Sequence, residues 1–428
     1  MQDRRALVLT QLIAGKVDTS EASLLLGLSS RSIRRLRARL LAGGPSALLH
    51  GNTRRAPAHR LDPALAERVV RLARDTYAGC NDSHLTELLA EREGLVLSRA
   101  SVQRILRAAG IASPRRRRSR RYRARRERRA AAGMLVQLDG SRHRWFGADH
   151  PYATLLGVID DATGEVLGAV FREQEDIAGY FAVLAQLLER GGVPLAVYSD
   201  RHSIFWRSER ERESREEELA GQREPTQLGR AFAELDVEMI FANSPQAKGR
   251  IERLWGTFQD RLVSELRLAR VSTIEEANLF LPRYLPRHNA RFAVAASAAA
   301  AWRALPAGRS VASICCFKYT RIVAADNTLR LGGILLQLPP RGAFGSWAQQ
   351  RVEARQYLDG SWSAHAPDGH ELARSAVPTK PPRLRAQPYT RAPVAGVAPL
   401  PRRGETWRRT NHDFFKKRTL PRAKSQSA

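Results

Sequence analysis

The hydrophobic period of this 428-residue chain changes near Met134, and that change limits the folds open to it. Before it, apolar residues recur at helical spacing in short segments punctuated by Gly, Ser and Thr. After it come runs rich in Val, Leu, Ile and Tyr: MLVQLD, YATLLGVIDDATGEVLGAVF and VPLAVYSD. These read as strands, with DDATG as a hairpin turn. A helix over 176–190 precedes VPLAVYSD, a second over 226–235 leads to the short strand VEMIFA, and a long helix begins near Pro245. Three strands, helix, strand, helix, strand, helix predict a mixed α/β layer on one central sheet.

The first 110 residues read as two groups of short helices. Residues 4–13 are apolar at helical spacing, Thr19 or Ser20 caps EASLLLG, and Ser29 or Ser30 caps RSIRRLRARLLAG, with Gly27 and Gly43 as stops. This is a helix-turn-helix pattern. Its third helix keeps Ile33, Leu36 and Leu40 for packing and presents Arg31, Arg34, Arg35, Arg37 and Arg39, a face suited to a DNA major groove. The competing reading is a small bundle with a solvated basic face. Residues 62–110 repeat the architecture; Ser98 caps a helix that buries Val102, Ile105 and Leu106 and leaves Arg99, Gln103, Arg104 and Arg107 accessible. For this second unit a protein-interaction or spacer role competes with DNA reading.

Seventy-one Lys and Arg against 43 Asp and Glu give a formal charge of +28, which favours a polyanionic partner. An anionic membrane is the weaker reading, because nothing resembles a signal peptide or an apolar span of about 18 residues. Cys80, Cys315 and Cys316 fit neither a disulfide framework nor a four-ligand zinc site. The run RRRRSRRYRARRERR at 115–129 reads as a basic linker, and RSERERESREEELAGQRE as an exposed charged insert. Beyond about residue 300 the pattern turns strand-like again, as hairpins of a small β-barrel or sheet, before a Pro- and Arg-rich tail.

Within this basic chain three carboxylates stand in ordered settings. Asp139 and Asp200 close apolar, strand-like runs, and Glu252 lies in the first turns of the long helix, which Ser244 caps and Pro245 opens. The two strands are neighbours in a sheet of this topology, so their carboxylates reach one edge, and Glu252 approaches from the following helix. Three converging carboxylates repel one another unless cations sit between them; hard oxygen donors suit Mg²⁺ or Mn²⁺. Two such ions activate a water or a 3′-hydroxyl against a phosphodiester without a covalent protein nucleophile. Forty-three acidic residues offer other triples, and Asp160 and Asp161 compete, with turn formation as their simpler role.

The strings QLDGSRHRWFG, TLLGVIDDATGEVLGAVF, YSDRHSIF, TQLGRAFAELDVEMIFANSPQAKGRIERLWGTFQDRLVSELR and VAADNTLRLGG resemble DDE transposases of the ISNCY type, whose core is integrase-like. The resemblance covers nearly the whole chain. It implies an α/β ribonuclease H-like core with amino-terminal helix-turn-helix domains and a small carboxy-terminal β-barrel. The boundaries expected are helix-turn-helix domains at 1–59 and 60–113, a basic linker at 114–130, and a catalytic core at 131–300 carrying the insert 206–225. The barrel is expected at 308–370 and a basic tail at 371–428. The Asp of the DG motif, the Asp of the SD motif and the Glu of GRIER fall on Asp139, Asp200 and Glu252, the implied catalytic ligands of about two Mg²⁺ or Mn²⁺ ions.

The same resemblance implies a cytoplasmic, nucleoid-associated bacterial protein that binds the terminal inverted repeats of its element and target DNA as a dimer or higher oligomer. DNA contacts are expected from Arg31, Arg34, Arg35, Arg37, Arg99, Gln103, Arg104, Lys248, Arg250 and Arg253. Where the wider integrase superfamily commonly has Asn-Gly after the second Asp, this chain has Arg201-His202-Ser203. A catalytically silent DNA-binding regulator and a nuclease without strand transfer are the rival readings.

Overall fold

The computed structural model describes residues 2–48, 61–114, 126–200, 203–205, 225–241, 249–343 and 345–379. Most of the linker, nearly all of the charged insert, Arg201, His202, Ser244, Pro245, Lys248 and the tail beyond 379 lie outside them. The chain divides into two compact units, Met1–Leu72 and Ala73–Ala428.

In the first unit α1 (Gln2–Ile13), α2 (Thr19–Leu26) and α3 (Ser30–Gly43) pack as three short helices. The cap of α2 is Asp18 rather than Thr19 or Ser20. Its carboxylate accepts from Ser20 N at 2.7 Å and Glu21 N at 2.8 Å, and Glu21 bonds back to Asp18 N at 2.9 Å. A carboxylate at that position also meets the positive end of the helix, which a hydroxyl does not. Gly27 ends α2 at φ +63°, a left-handed conformation that glycine reaches without strain. Ser29 caps α3. Ile33, Leu36 and Leu40 join Val8, Leu9, Leu12 and Ala22 in a small core, and all five α3 arginines are exposed.

The chain enters its second unit along α4 (Pro63–Arg74), followed by α5 (Asp82–Glu93) and α6 (Arg99–Ala108). Ser98 caps α6, and Val102 and Leu106 are buried. Arg107, expected to be accessible, instead bonds Asp82 at 2.6 Å and the Ile111 carbonyl at 2.6 Å.

The central sheet comprises β1 (Val136–His143), β2 (Ala153–Asp160), β3 (Val166–Arg172), β4 (Ala196–Ser199) and β5 (Glu238–Phe241). Its order is β3-β2-β1-β4-β5, with β1 antiparallel to β2 and parallel to β4. An antiparallel meander extended by two parallel strands is the ribonuclease H-like arrangement. Helix α7 (Ile177–Arg190) covers one face. Helices α9 (Gly249–Leu268) and α10 (Ile274–Phe292) cover the other, and α8 (Gln227–Glu234) joins β4 to β5. Strand β2 is buried along its whole length, which accounts for its unbroken apolar run. The edge of β3 is sealed by side-chain carboxamides. Asn289, Gln186 and Asn278 each bond both the N–H and the C=O of one residue, Val166, Ala169 and Phe171 respectively. Each amide substitutes for a missing strand and closes the edge to strand addition.

The carboxy-terminal strands are β6 (Phe317–Ile322), β7 (Thr328–Leu331), β8 (Ile334–Gln337), β9 (Arg351–Gln356), β10 (Trp362–His365) and β11 (Glu371–Arg374). They form an open four-stranded sheet, β11-β10-β9-β6, and a separate two-stranded β7-β8 sheet. The expected β-barrel is therefore corrected: neither sheet closes. The free edge of β6 is taken by α8, where Gln227 donates to the Lys318 carbonyl at 2.7 Å and accepts from Lys318 N at 3.1 Å. This sheet shares an apolar core with α7 and α8, in which Phe317 stands edge-on to Phe181 at 5.3 Å. A buried ion triad crosses the same boundary: Glu234 accepts from Lys318 at 2.8 and 2.9 Å and from Arg230 at 2.8 Å. Burial raises the Glu234 carboxyl pKa, but Arg230 and Lys318 outweigh it and hold the group below its ordinary range.

Helix α5 is fastened across α9 by polar contacts. Asn81 bonds Asp260 at 2.7 Å, Arg261 bonds Glu87 at 2.8 Å, and Glu265 takes His84 at 3.0 Å and Arg92 at 2.7 Å. Burial alone pushes the His84 imidazolium down, yet the neighbouring Cys80 and the Glu265 carboxylate outweigh it and raise the pKa to about 9. A raised folded pKa contributes stability that is fully present below the unfolded value near 6.5 and is lost as pH rises through about 9. Amide exchange across 82–93 is therefore expected to accelerate between pH 6 and pH 9.5 beyond the intrinsic base catalysis, and H84Q is expected to flatten that excess. Equal excess in H84Q and the parent chain contradicts the assignment.

Candidate functional site

Strands β1 and β4 run parallel with Val136 level with Val197 and Gln137 level with Tyr198. Continued by two residues, that register sets Asp139 level with Asp200, which follows the last residue of β4. Neighbouring strands are about 4.8 Å apart, so two carboxylates occupy one stretch of the sheet edge. Both are half-buried. Both also act on one phenol: burial first, then Glu175, then Asp139 and Asp200 raise the Tyr180 pKa well above its ordinary value.

Helix α9 lies along β1, tied at three points. Ile251 N donates to Gln137 Oε1 at 3.3 Å, the Trp255 indole N–H donates to Asp139 Oδ2 at 3.0 Å, and Gln259 donates to Ser141 Oγ at 3.2 Å. The spacing follows from backbone geometry. Four helical residues rise about 6 Å and two strand residues about 6.7 Å, so steps of four on the helix keep pace with steps of two on the strand. Glu252 sits between the first two ties and is exposed. The fold thus carries Asp139 and Asp200 at the same end of two neighbouring strands and Glu252 on the helix that lies along β1. Among the described residues no three His, Cys, Asp or Glu side chains are gathered closely enough to hold a metal.

Trp255 was not legible as part of this site from the sequence, although its place three residues after Glu252 is a usable signal. The indole lies against Gly157 of β2, where a Cβ would come within 2.8 Å of the ring. That glycine inside an otherwise bulky strand is the complementary signal. W255F removes the donor to Asp139 and leaves a small void, so unfolding free energy is expected to fall by about 2–3 kcal/mol. A denaturant midpoint unchanged from that of the parent chain excludes this role.

Glu175 is a second group that sequence reasoning missed. It accepts from the Tyr180 hydroxyl at 2.5 Å and lies against Gly140, beside Asp139. Of the two competing aspartates, Asp160 does form the turn, accepting from Thr163 N at 2.8 Å. Asp161 does not. It is fully buried and accepts from Arg250 at 2.7 Å, Gln137 at 2.7 Å, Arg129 N at 3.0 Å and Arg126. Burial raises its pKa, but Arg126, the Arg129 N–H and Arg250 outweigh it and depress it. Of the basic residues expected to meet DNA, Arg250 is thereby engaged inside the protein, whereas Arg253, Arg99, Gln103 and Arg104 are exposed.

No helix among the described residues is long and apolar enough to cross a membrane. A family described as winged helix-turn helix matches residues 5–66. The chain is 36% identical over 369 residues to "Putative transposase y4bF" of Sinorhizobium fredii, covering 85% of this chain and 79% of that protein. It is 34% identical over 326 residues to "Transposase for insertion sequence IS1202" of Streptococcus pneumoniae, covering 68% of each. Among solved structures it is similar to a chain of the simian T-cell lymphotropic virus intasome in complex with PP2A regulatory subunit B56 gamma. That match has 14% identity and a TM-score of 0.30 and covers 71% of this chain and 95% of that one. It is also similar to the HTLV-2 integrase catalytic core domain in complex with magnesium, with 13% identity, a TM-score of 0.24 and coverage of 35% and 86%.

Proposed function

This chain belongs to the transposase family of the two relatives above, and on that footing we propose that it is a DDE transposase of the ISNCY type. It binds the terminal inverted repeats of its own element, cleaves the ends to free 3′-hydroxyls and joins them to target DNA by direct attack on phosphodiester bonds. The observation that carries the reading is the parallel pairing of β1 with β4, Val136 level with Val197 and Gln137 with Tyr198, in the two strands that lead to Asp139 and Asp200. A non-catalytic DNA-binding regulator has no use for that alignment.

Asp139, Asp200 and Glu252 are the ligands in this reading. Their donor chemistry fits: three hard carboxylates, without thiolate or imidazole, suit Mg²⁺ or Mn²⁺. Held there, two such cations neutralise the carboxylates and supply Lewis acidity for in-line displacement at phosphorus. The protein's own part is positioning. Trp255 fixes one oxygen of Asp139, and the Gln137–Ile251 bond fixes the start of the helix that bears Glu252. The exposed arginines of α3 give the amino-terminal unit a groove-facing surface. Joining two ends to one target calls for at least a dimer.

Incubation with paired element-end DNA, Mg²⁺ and a target plasmid, followed by mapping of products, tests the whole reading. Ends joined through their 3′-hydroxyls are expected. Cleaved ends without joining reduce the activity to a nuclease, and binding without cleavage leaves the regulator.

A further inference from the structure

The β1–β2 hairpin carries a cationic cluster that the proposed reaction does not yet use. The guanidinium of Arg142 lies 4.8 Å from the centroid of the Tyr152 ring and that of Arg144 lies 5.1 Å from it. The pairing register explains the arrangement. Arg142 is level with Thr154 and His143 with Ala153, so Arg144 stands opposite Tyr152 and Arg142 lies diagonal to it on the same face.

The cluster is held in place by its surroundings. The next residue, Trp145, is fully buried, donates from its indole N–H to the Ser141 carbonyl at 3.1 Å and packs edge-on to Phe171 at 5.6 Å. Arg144 itself also bonds the Ala148 carbonyl. Both arginines are exposed, Tyr152 is 48% exposed, and no ion pair with a carboxylate forms at either guanidinium among the described residues. Two like charges fixed on one ring, with no carboxylate paired to them among the described residues, are poised for an anion with several charges. A guanidinium matches a phosphate through paired donors, and the stacked ring fixes its plane.

Position names the anion. Strand β4 ends at Ser199 while β1 continues to His143, and Arg142 lies three residues, or about 10 Å, beyond Asp139, an odd step that puts its side chain on the opposite face of the sheet from the Asp139 carboxylate. A DNA strand that passes Asp139 and turns round the end of β1 would bring its backbone phosphates to both arginines. We propose that Arg142, Tyr152 and Arg144 form a clamp for the phosphates of the DNA strand next to the cleaved bond. The proposal rests on the transposase reading for the identity of that bond.

The test uses the full chain with two 30-base-pair duplexes, one carrying the outermost base pairs of the element and one of random sequence standing for target DNA. The double variant R142A/R144A is expected to bind about ten-fold more weakly, with the slope of log affinity against log salt shallower by about 1.8, the value for two lost phosphate contacts. A loss confined to the end duplex assigns the clamp to donor DNA, and a loss on the random duplex assigns it to target. Y152F, which keeps the ring, is expected to bind as the parent chain does, and Y152A to lose affinity. Parent-like binding and salt slope of R142A/R144A on both duplexes overturns the proposal, as does equal loss in Y152F and Y152A. R142Q/R144Q, which keeps more of the side-chain bulk, serves if the alanine variant does not fold. A parent chain that binds through the clamp but neither cuts nor joins sinks the transposase reading alone.

Discussion

Alanine at Asp139, Asp200 or Glu252 is expected to lower Mg²⁺-dependent cleavage and joining at least about 1,000-fold, equivalent to roughly 4 kcal/mol of transition-state stabilisation. Binding of element-end DNA is expected to change little, because the exposed arginines of α3 lie in a separate unit. The variants are also expected to fold. Glu252 is exposed and Asp200 half-buried. D139A strands a hydrogen-bond donor, the Trp255 indole N–H, at a cost of about 1–2 kcal/mol. D139N keeps an acceptor for Trp255 while removing the charge, so its loss of activity reads ligand chemistry separately from packing. A second readout needs no DNA. If the three carboxylates hold divalent cations, Mg²⁺ raises the melting temperature of the parent chain over EDTA, by mass action on the folded state. Each alanine variant then loses most of that rise. Undiminished cleavage in any one of the three sinks the assignment of that residue, and a melting temperature of the parent chain indifferent to Mg²⁺ and Mn²⁺ counts against the whole set.

The parts of this fold legible in the sequence are those fixed by local chemistry. Ser29, Gly27 and Ser98 punctuate helices because caps and left-handed stops act over a few residues. The strand–helix–strand order makes β1 and β4 neighbours, as the sheet has them. Contacts made at long sequence separation were not legible. The polar residues His84 and Glu87 of α5 meet Glu265 and Arg261 of α9, far downstream in the chain. Asp161 reads as a turn residue because it follows Asp160, and only the approach of Arg126 and Arg250 makes it an ion-pair centre. The hairpins beyond residue 310 were legible but their closure was not. Closure depends on which group takes the edge of β6, and that group is Gln227, from well upstream. Alternation reports faces; it is silent about edges.

Deletion of residues 1–59 is expected to abolish selective binding of element ends, bringing affinity for the end duplex down to that for random DNA, a loss of at least about 1,000-fold in discrimination. The deleted span contains α1, α2 and α3, with the arginine face of α3, and most of the stretch matched by the winged helix-turn-helix family. The choice of cut decides whether the experiment can be read. Removal of residues 1–110 takes α5 as well, and with it His84, Arg92 and Glu87. Glu265, 3% exposed in the intact protein, then loses two cationic partners, and Arg261 loses its carboxylate. Stripping partners from a buried charge costs about 3–5 kcal/mol, on the very helix that carries Glu252. The longer deletion is therefore expected to lose Mg²⁺-dependent cleavage of any DNA along with end recognition, whereas the shorter one retains weak, unselective cleavage. If the 1–59 deletion still footprints the element ends, the amino-terminal unit is not the reader, and α6, with Arg99, Gln103 and Arg104 exposed, becomes the surface to test. If instead the two deletions are equally stable to denaturant, the polar contacts between α5 and α9 contribute nothing to holding the core together.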